Sequence, residues 1–466
     1  MSKADPARVL ACQVLHEVLE EQKFSHESLN EHLQNCNLTA QERSFATVMV
    51  YDCLSRLTAI DYILMEKSSR PLTEIEPLLR SILRLGIWQV IYAYSVPHYA
   101  AVNETVELCK HFNMHRASGF VNAILRNLDP SQISWRKKDK GVELGLGNEL
   151  FGMFKKWYGE EIAEDIAEYF LSPAKSTDLR VNSRKTMPNQ LIKDLREEGC
   201  VIESGRYFPK ALRLVSSELR LDELKAYKKG EFMVQGESAQ AVGVVADLSE
   251  ARYIVDLCAA PGGKTCDLAE RKMPEAQILA FDLHEGRLER ARENALRLAL
   301  DISFEKQDAL APDLSKLLSE RWQRSQGKAD LILADVPCSG LGDLAGKPEL
   351  RQRMDYESIQ RFPSLQKDFL KQAASLCRAG SEIIYSTCTL NPEENQNLLR
   401  DFLASASGKS FVLKDLRVSL PEGLKDCLAR DAQLTALLDE GFLLFRPDIC
   451  ETDGFFVAVL QCVENE

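Results

Sequence analysis

Two cysteines close apolar, strand-like runs in this chain. One run is Leu331-Ile332-Leu333-Ala334-Asp335-Val336-Pro337-Cys338, and the other is Ile383-Ile384-Tyr385-Ser386-Thr387-Cys388. A third run, Val255-Asp256-Leu257, opens the loop Cys258-Ala259-Ala260-Pro261-Gly262-Gly263-Lys264. In an open α/β sheet, ligands and chemistry gather at the carboxyl ends of the strands. Three such ends meeting in one crevice would bring together two thiols, the Asp335 carboxylate and a ligand loop. That set predicts covalent chemistry through a thiolate beside a bound small-molecule cofactor.

The loop ends Gly263-Lys264-Thr265, like a phosphate-binding P-loop. That motif needs a glycine where this chain has Cys258, and Pro261 stands inside the turn, so a nucleotide phosphatase is disfavoured. Asp282 stands 20 residues beyond Gly262 and ends the next apolar run, where a carboxylate can accept ribose hydroxyls. Asp308, after the third strand, is placed to contact an adenine amine. Acidic strand ends with one Gly-Gly pair and no dinucleotide fingerprint suit a cationic nucleoside such as S-adenosylmethionine. Taken alone, Asp282 also reads as a helix cap. Lys264 reads either as a partner of Asp335 or the loop, or as a plain surface lysine.

The elements that must position these residues follow from the apolar pattern. Beyond residue 240, strands at Tyr253–Leu257, Gln277–Phe281, Ile302–Phe304, Leu331–Ala334, Glu382–Tyr385 and Gly454–Leu460 alternate with helices, clearest at Gly286–Leu300 and Pro363–Cys377. Such alternation predicts a parallel, doubly wound, Rossmann-like α/β domain over 241–466. Residues 145–240 read as a small α+β module that connects the domains or binds RNA. It has a helical stretch over Phe151–Phe170, extended segments at Asp178–Asn182 and Leu212–Val215, and a helix over Pro188–Glu198. Its basic group, Lys175, Arg180, Arg184 and Lys185, reads as an RNA contact or as a solvated face. Residues 1–135 carry helical periodicity throughout. The turn Asn391-Pro392-Glu393-Glu394-Asn395 after Cys388 reads as an ordinary cap or as a helix start near the site.

Composition narrows the class. A chain of 466 residues, 45% hydrophobic and 27% charged, is a multidomain globular protein. No apolar run reaches the length of a membrane span and the start lacks a signal-peptide core, so a cytoplasmic protein is expected. The 13 cysteines include no pair at zinc-site spacing, and no metal is expected. A net charge of −12 argues against coating nucleic acid by charge alone. Six of the seven histidines precede residue 116, leaving only His284 in the C-terminal half. Proton transfers there must therefore use carboxylates, thiols or water.

Three motifs, Asp256 to Thr265, Asp335-Val336-Pro337-Cys338-Ser339-Gly340 and Tyr385-Ser386-Thr387-Cys388-Thr389, resemble those of the RNA cytosine-5 methyltransferases. The helical region resembles the NusB-type RNA-binding domain at Leu83-Arg84-Leu85-Gly86, Val96 to Val106 and Phe120 to Arg126. Both parts in one chain are characteristic of the Sun/Fmu (RsmB) branch, which methylates bacterial 16S rRNA. The resemblance implies S-adenosylmethionine as cofactor, Cys388 as the nucleophile that adds to carbon 6 of cytosine, and Cys338 as the thiol that assists release. It also implies that Asp335, with its proton retained, hydrogen-bonds N3. Cys258, Ala259, Ala260, Pro261, Gly262, Gly263, Lys264, Asp282, Asp308 and Asp335 are then the cofactor-binding set. The target is expected in a single-stranded loop or as a flipped base, and the protein is expected to be a monomer. A tRNA target, or a non-catalytic RNA-binding factor, are the alternatives. Where the family usually has paired arginines this chain has Ala345-Gly346. Glu349 stands for an aspartate, and Asp448 where relatives often carry histidine. These departures bear on RNA contacts more than on the chemistry.

Overall fold

The computed structural model describes residues 4–172 and 176–463, which form two compact units. Among the described residues the first comprises 4–172 together with 343–356, and the second comprises 176–342 with 357–463.

The first unit is helical. Seven helices, Pro6–Glu20, Ser25–Gln34, Ala40–Ser55, Leu57–Lys67, Pro77–Ile91, His98–His111 and Ser118–Arg126, share one apolar core. Local chemistry sets the boundaries. Asp5 accepts from the Arg8 backbone N–H at 2.9 Å ahead of Pro6, and Thr39 with Glu42 forms a capping box, each satisfying amides that a helix start leaves unpaired. The stretch read as one helix over Phe151–Phe170 is two, Gly147–Tyr158 and Glu160–Leu171, broken at Gly159.

A segment distant in sequence completes this unit. Glu349 accepts from the Ser25 backbone N–H at 3.2 Å and its hydroxyl at 2.7 Å. The Arg351 guanidinium, buried, donates to the carbonyls of Ser55, Phe170 and Leu344. Arg353 donates to the carbonyls of Val18 and Lys23.

The second unit holds two sheets. Four antiparallel strands, β1 (Thr177–Val181), β2 (Cys200–Ser204), β3 (Ala211–Ser217) and β4 (Phe232–Val234), lie in the order β2-β3-β1-β4. The eight-stranded sheet contains β5 (Tyr253–Asp256), β6 (Gln277–Asp282), β7 (Ser303–Lys306), β8 (Leu331–Asp335), β9 (Glu382–Thr387), β10 (Phe411–Leu413), β11 (Phe442–Phe445) and β12 (Phe455–Cys462). The first five run parallel in the order β7-β6-β5-β8-β9. The strand expected near Gly454–Leu460 is β12, which runs antiparallel to β9 and carries β10 and β11, so the sheet is mixed at this edge. Residues of β5, β8 and β9 are buried on both faces, as a doubly covered parallel sheet requires.

The chain winds outward from β5 through β6 to β7, then resumes on the other side with β8 and β9. The reversal of strand order lies between β5 and β8, where such sheets open a crevice at their carboxyl ends.

Candidate active site

The loops after β5, β8 and β9 meet at this crevice. Cys338 Sγ and Cys388 Sγ are 3.4 Å apart, each half-buried. The hydrogen bond to Cys388, then burial, pushes the Cys338 thiol well above its ordinary value. The two sulfurs thus share one hydrogen bond, in which either can be the donor.

Asp335 closes β8, and both its oxygens are engaged. Lys264 Nζ donates to Oδ2 at 2.7 Å and the Ser386 hydroxyl to Oδ1 at 2.7 Å. Lys264 is thus not a plain surface lysine. Burial lowers its ammonium, but Asp335, helped by Cys388, outweighs this and holds it above the usual lysine value. Its Nζ also lies 5.1 Å from the centroid of the Phe455 ring, a cation–π arrangement.

The ligand loop is braced from below. Asp256, 1% exposed at the end of β5, accepts from the Thr265 hydroxyl at 2.6 Å and the Cys258 backbone N–H at 3.1 Å. Burial pushes its carboxyl up to about 7. Ala259 donates its N–H to Phe281 O of β6 at 2.8 Å, and Gly262 to Ala259 O at 2.7 Å. Gly262 precedes the helix Gly263–Arg271 with φ +98°, and a Cβ there would stand 3.1 Å from Ala291 Cβ. Only glycine combines that backbone with that approach. Pro261 is exposed on the loop, while Gly263 and Lys264 are half-buried.

The two more distant carboxylates occupy strand ends as expected. Asp282 closes β6 and accepts from the Ala260 backbone N–H at 3.3 Å and the His284 N–H at 2.9 Å. It therefore joins the ligand loop to the turn ahead of the helix at Glu285, whose N-cap is His284, so Asp282 is not itself the helix cap. Asp308, exposed beyond β7, takes the Leu310 N–H at 2.9 Å. The Cys258 thiol records the field that these groups create. Burial, then Asp256, Asp335, Asp282 and Asp308, push it well above the ordinary thiol value. A crevice lined by carboxyl groups fits a cationic nucleoside, and it makes Cys258 a poor nucleophile.

Several structural roles were not read from sequence. A buried glutamate, Glu394, accepts from Ser339 beside Cys338. Gly342 donates its N–H to Cys388 O at 2.9 Å and accepts from Gly454 N–H at 2.8 Å. A Cβ on Gly342 would meet Gly454 O at 2.1 Å, so the backbone must be bare there. Arg180 of β1, 1% exposed, donates to Gly263 O at 2.8 Å, Glu270 Oε1 at 2.6 Å and Gln235 Oε1. Of the basic group read as an RNA contact or a solvated face, Arg180 is thus committed inward, while Arg184 and Lys185 are exposed. Arg184 donates to Glu270 O, and Lys185 to Lys229 O and Arg297 O. Lys175 lies outside the described residues. Two family departures have internal partners as well: Glu349 on Ser25, and Asp448 on Arg446 at 2.8 Å.

Comparison with known proteins agrees with this architecture. The family described as 16S rRNA methyltransferase RsmB/F matches residues 244–461, and the NusB family matches residues 5–130. A probable ribosomal RNA small subunit methyltransferase B of Synechocystis is 30% identical, covering 98% of this chain and 99% of that protein. Its Bacillus subtilis counterpart, also described as probable, is 29% identical with the same coverage. Among solved structures, PH0851 superposes with a TM-score of 0.80 over 99% of this chain and 100% of that one, at 23% identity, a likeness of fold. Among the described residues no helix is long and apolar enough to cross a membrane. The chain belongs to the RsmB/F family of 16S rRNA methyltransferases and carries a NusB family domain at its N-terminal end.

Proposed function

We propose that this chain methylates carbon 5 of a cytosine in 16S rRNA through a covalent adduct with Cys388, using S-adenosylmethionine. The observation that carries the reading is the thiol pair, 3.4 Å apart, at the strand ends flanking the ligand loop.

Carbon 5 of cytosine is a poor nucleophile until a thiolate adds to carbon 6 and turns the ring into an enamine. Cys388 is the attacking sulfur, as the resemblance of Tyr385-Ser386-Thr387-Cys388-Thr389 to the RNA cytosine-5 methyltransferases implies, with Cys338 in hydrogen-bond reach of it. Asp335 has both oxygens occupied by Lys264 and Ser386, which leaves the proton expected on it unsupported. It lines the side of the crevice that the ring edge enters, and the Lys264 ammonium paired with it stabilises charge developing on the ring. S-adenosylmethionine supplies an electrophilic methyl group when bound. Asp282, Asp308 and the loop Cys258 to Lys264 hold it, and the carboxyl groups around Cys258 favour its positive charge. After transfer the Cys338 sulfur, or a water beside it, takes the proton on carbon 5, the C–H electron pair reforms the C5–C6 double bond, and the carbon–sulfur bond breaks with its pair returning to Cys388. The target base must leave its stack to reach the crevice, so a single-stranded loop or a flipped nucleotide fits. The names of the relatives, and the NusB family domain, support small-subunit rRNA as the partner.

Bisulfite sequencing of small-subunit rRNA from cells with and without the gene tests this reading. Loss of one protected cytosine is expected. An unchanged 16S pattern overturns the assigned target.

A further inference from the structure

The turn after Cys388 carries a carboxylate that the steps above leave unused. Glu394 and Asn395 are both 0% exposed. Glu394 Oε2 accepts from the Ser339 backbone N–H and from Gln366 Nε2, each at 2.9 Å. Oε1 accepts from the Ser339 hydroxyl and from Asn391 Nδ2, the latter at 3.0 Å. Four donors fill the acceptor sites of one carboxylate. Burial pushes the Glu394 carboxyl up, and the donors, Ser339 foremost, oppose it.

These bonds hold the neighbours of both thiols. Gln366 also donates to Pro337 O at 3.0 Å, so the residues before and after Cys338 are anchored. Across the crevice, Ser339 Oγ lies 2.7 Å from Thr389 Oγ1. Asn395 accepts the Thr387 hydroxyl at 2.6 Å and donates to Thr389 O at 2.9 Å, which anchors both sides of Cys388. We propose that Glu394 is a positioning residue: it ties the Cys338 loop to the Cys388 turn and so sets the separation of the two sulfurs. The inference rests on the thiol chemistry proposed above.

Glu394→Gln keeps the shape of the side chain but turns one acceptor into an NH2 group. On the Oε2 side that group faces the Ser339 backbone N–H, which cannot reverse, and the Gln366 amide, which can turn only by giving up its bond to Pro337 O. On the Oε1 side only the Ser339 hydroxyl can. The Ser339 loop must therefore shift, and Cys338 with it. Addition needs Cys388 alone, whereas release needs Cys338 in reach. A displacement of about 1 Å costs on the order of 100-fold in a positioned reaction. Folded Glu394→Gln protein is expected to bind S-adenosylmethionine as the wild type does, yet to accumulate a covalent RNA adduct on a denaturing gel.

A second readout needs no RNA. Diamide oxidises the two thiols: each sulfur gives up its hydrogen, an S–S bond forms, and the N=N bond of diamide takes both hydrogens to become a hydrazine. Peptide mapping then gives the rate of Cys338–Cys388 disulfide formation, which is expected to fall in Glu394→Gln. Ser339→Ala removes only the hydroxyl link and is expected to show a smaller change in both readouts, which keeps the test open if the glutamine variant does not fold. A folded Glu394→Gln with the wild-type disulfide rate and no adduct overturns the positioning role. A slowed disulfide in a protein whose Cys388→Ala variant still methylates overturns the thiol chemistry instead, and leaves the positioning geometry supported.

Discussion

Replacing Arg180 by methionine separates a structural charge from its partners. The guanidinium is 1% exposed, and its chief partner Glu270 is 5% exposed as a residue. It donates to Glu270 Oε1 at 2.6 Å and to Gly263 O at 2.8 Å, and its Nε stands 3.8 Å from Asp267 Oδ1. Methionine restores most of the volume and none of the charge. Asp267 keeps Arg271 at 3.2 Å, but Glu270 is left buried without its ion-pair partner, with Lys210 as a weaker neighbouring cation. Breaking a buried pair from one side costs about 3–5 kcal/mol, which is a fall of about 6–20 °C in the unfolding temperature of a unit this large. Circular dichroism on the full chain measures it. The deficit also has a pH signature. Burial already raises the Glu270 carboxyl, and removing the cation raises it further, so the folded variant binds a proton that the unfolded chain releases. Its stability is greatest at acid pH and is lost as pH rises through the raised value, making the deficit larger at pH 8 than at pH 5.5. Cofactor affinity is expected to fall by about tenfold as Gly263 loses a charged donor. Arg180→Met with Glu270→Leu removes both charges and is expected to recover most of the stability. A deficit below about 1 kcal/mol for the single variant, independent of pH, would refute the reasoning, because the guanidinium would then not be neutralising a buried carboxylate.

Other outcomes follow from the site. Cys388→Ala is expected to abolish methylation while leaving S-adenosylmethionine affinity intact by calorimetry; appreciable turnover sinks the nucleophile assignment. Cys338→Ala is expected to trap a covalent protein–RNA adduct, since addition then outruns elimination, and an inactive variant with no adduct counts against its release role. Asp256, with its carboxyl pushed up to about 7 by burial, binds a proton in the folded chain that the unfolded chain releases from about pH 4 upward. Its burial therefore costs stability increasingly as pH rises from about 4 to 7. Asp256→Asn is expected to flatten that part of the stability profile, because the Thr265 hydroxyl can turn to accept from the amide; an unchanged profile in chemical denaturation argues that Asp256 is ionised throughout.

The strand ends were legible because β5, β6, β8 and β9 are largely apolar runs, a pattern that β7, Ser303-Phe304-Glu305-Lys306, lacks. Asp335 and Asp282 close two of those runs, while Cys338 and Cys388 follow shortly after β8 and β9. Their supports were not. Arg180 read as part of an RNA-contacting or solvated basic group because its partners Gln235 and Glu270 lie 55 and 90 residues away; complementarity between distant charges leaves no local pattern. Glu394 sits in a turn whose spacing suits an ordinary cap, and Asn391 does accept the Glu393 N–H there at 3.1 Å. Nothing in that spacing marks the bond to Ser339. The short strands β10 and β11 have three and four residues, too few to show a period, so the antiparallel edge stayed hidden.

The segment Asp343–Tyr356 has a consequence for the order in which the protein is built. Synthesis delivers the N-terminal helices first, and domains generally begin to fold as they emerge. The Ser25 hydroxyl, the carbonyls of Ser55 and Phe170 and those of Val18 and Lys23 find their partners on Glu349, Arg351 and Arg353. A nascent chain must therefore present a helical unit with these groups still facing water until most of the catalytic sequence has left the ribosome. The part made first is finished late, and a chain that stops short of residue 349 carries an N-terminal unit that can begin its core but cannot complete it.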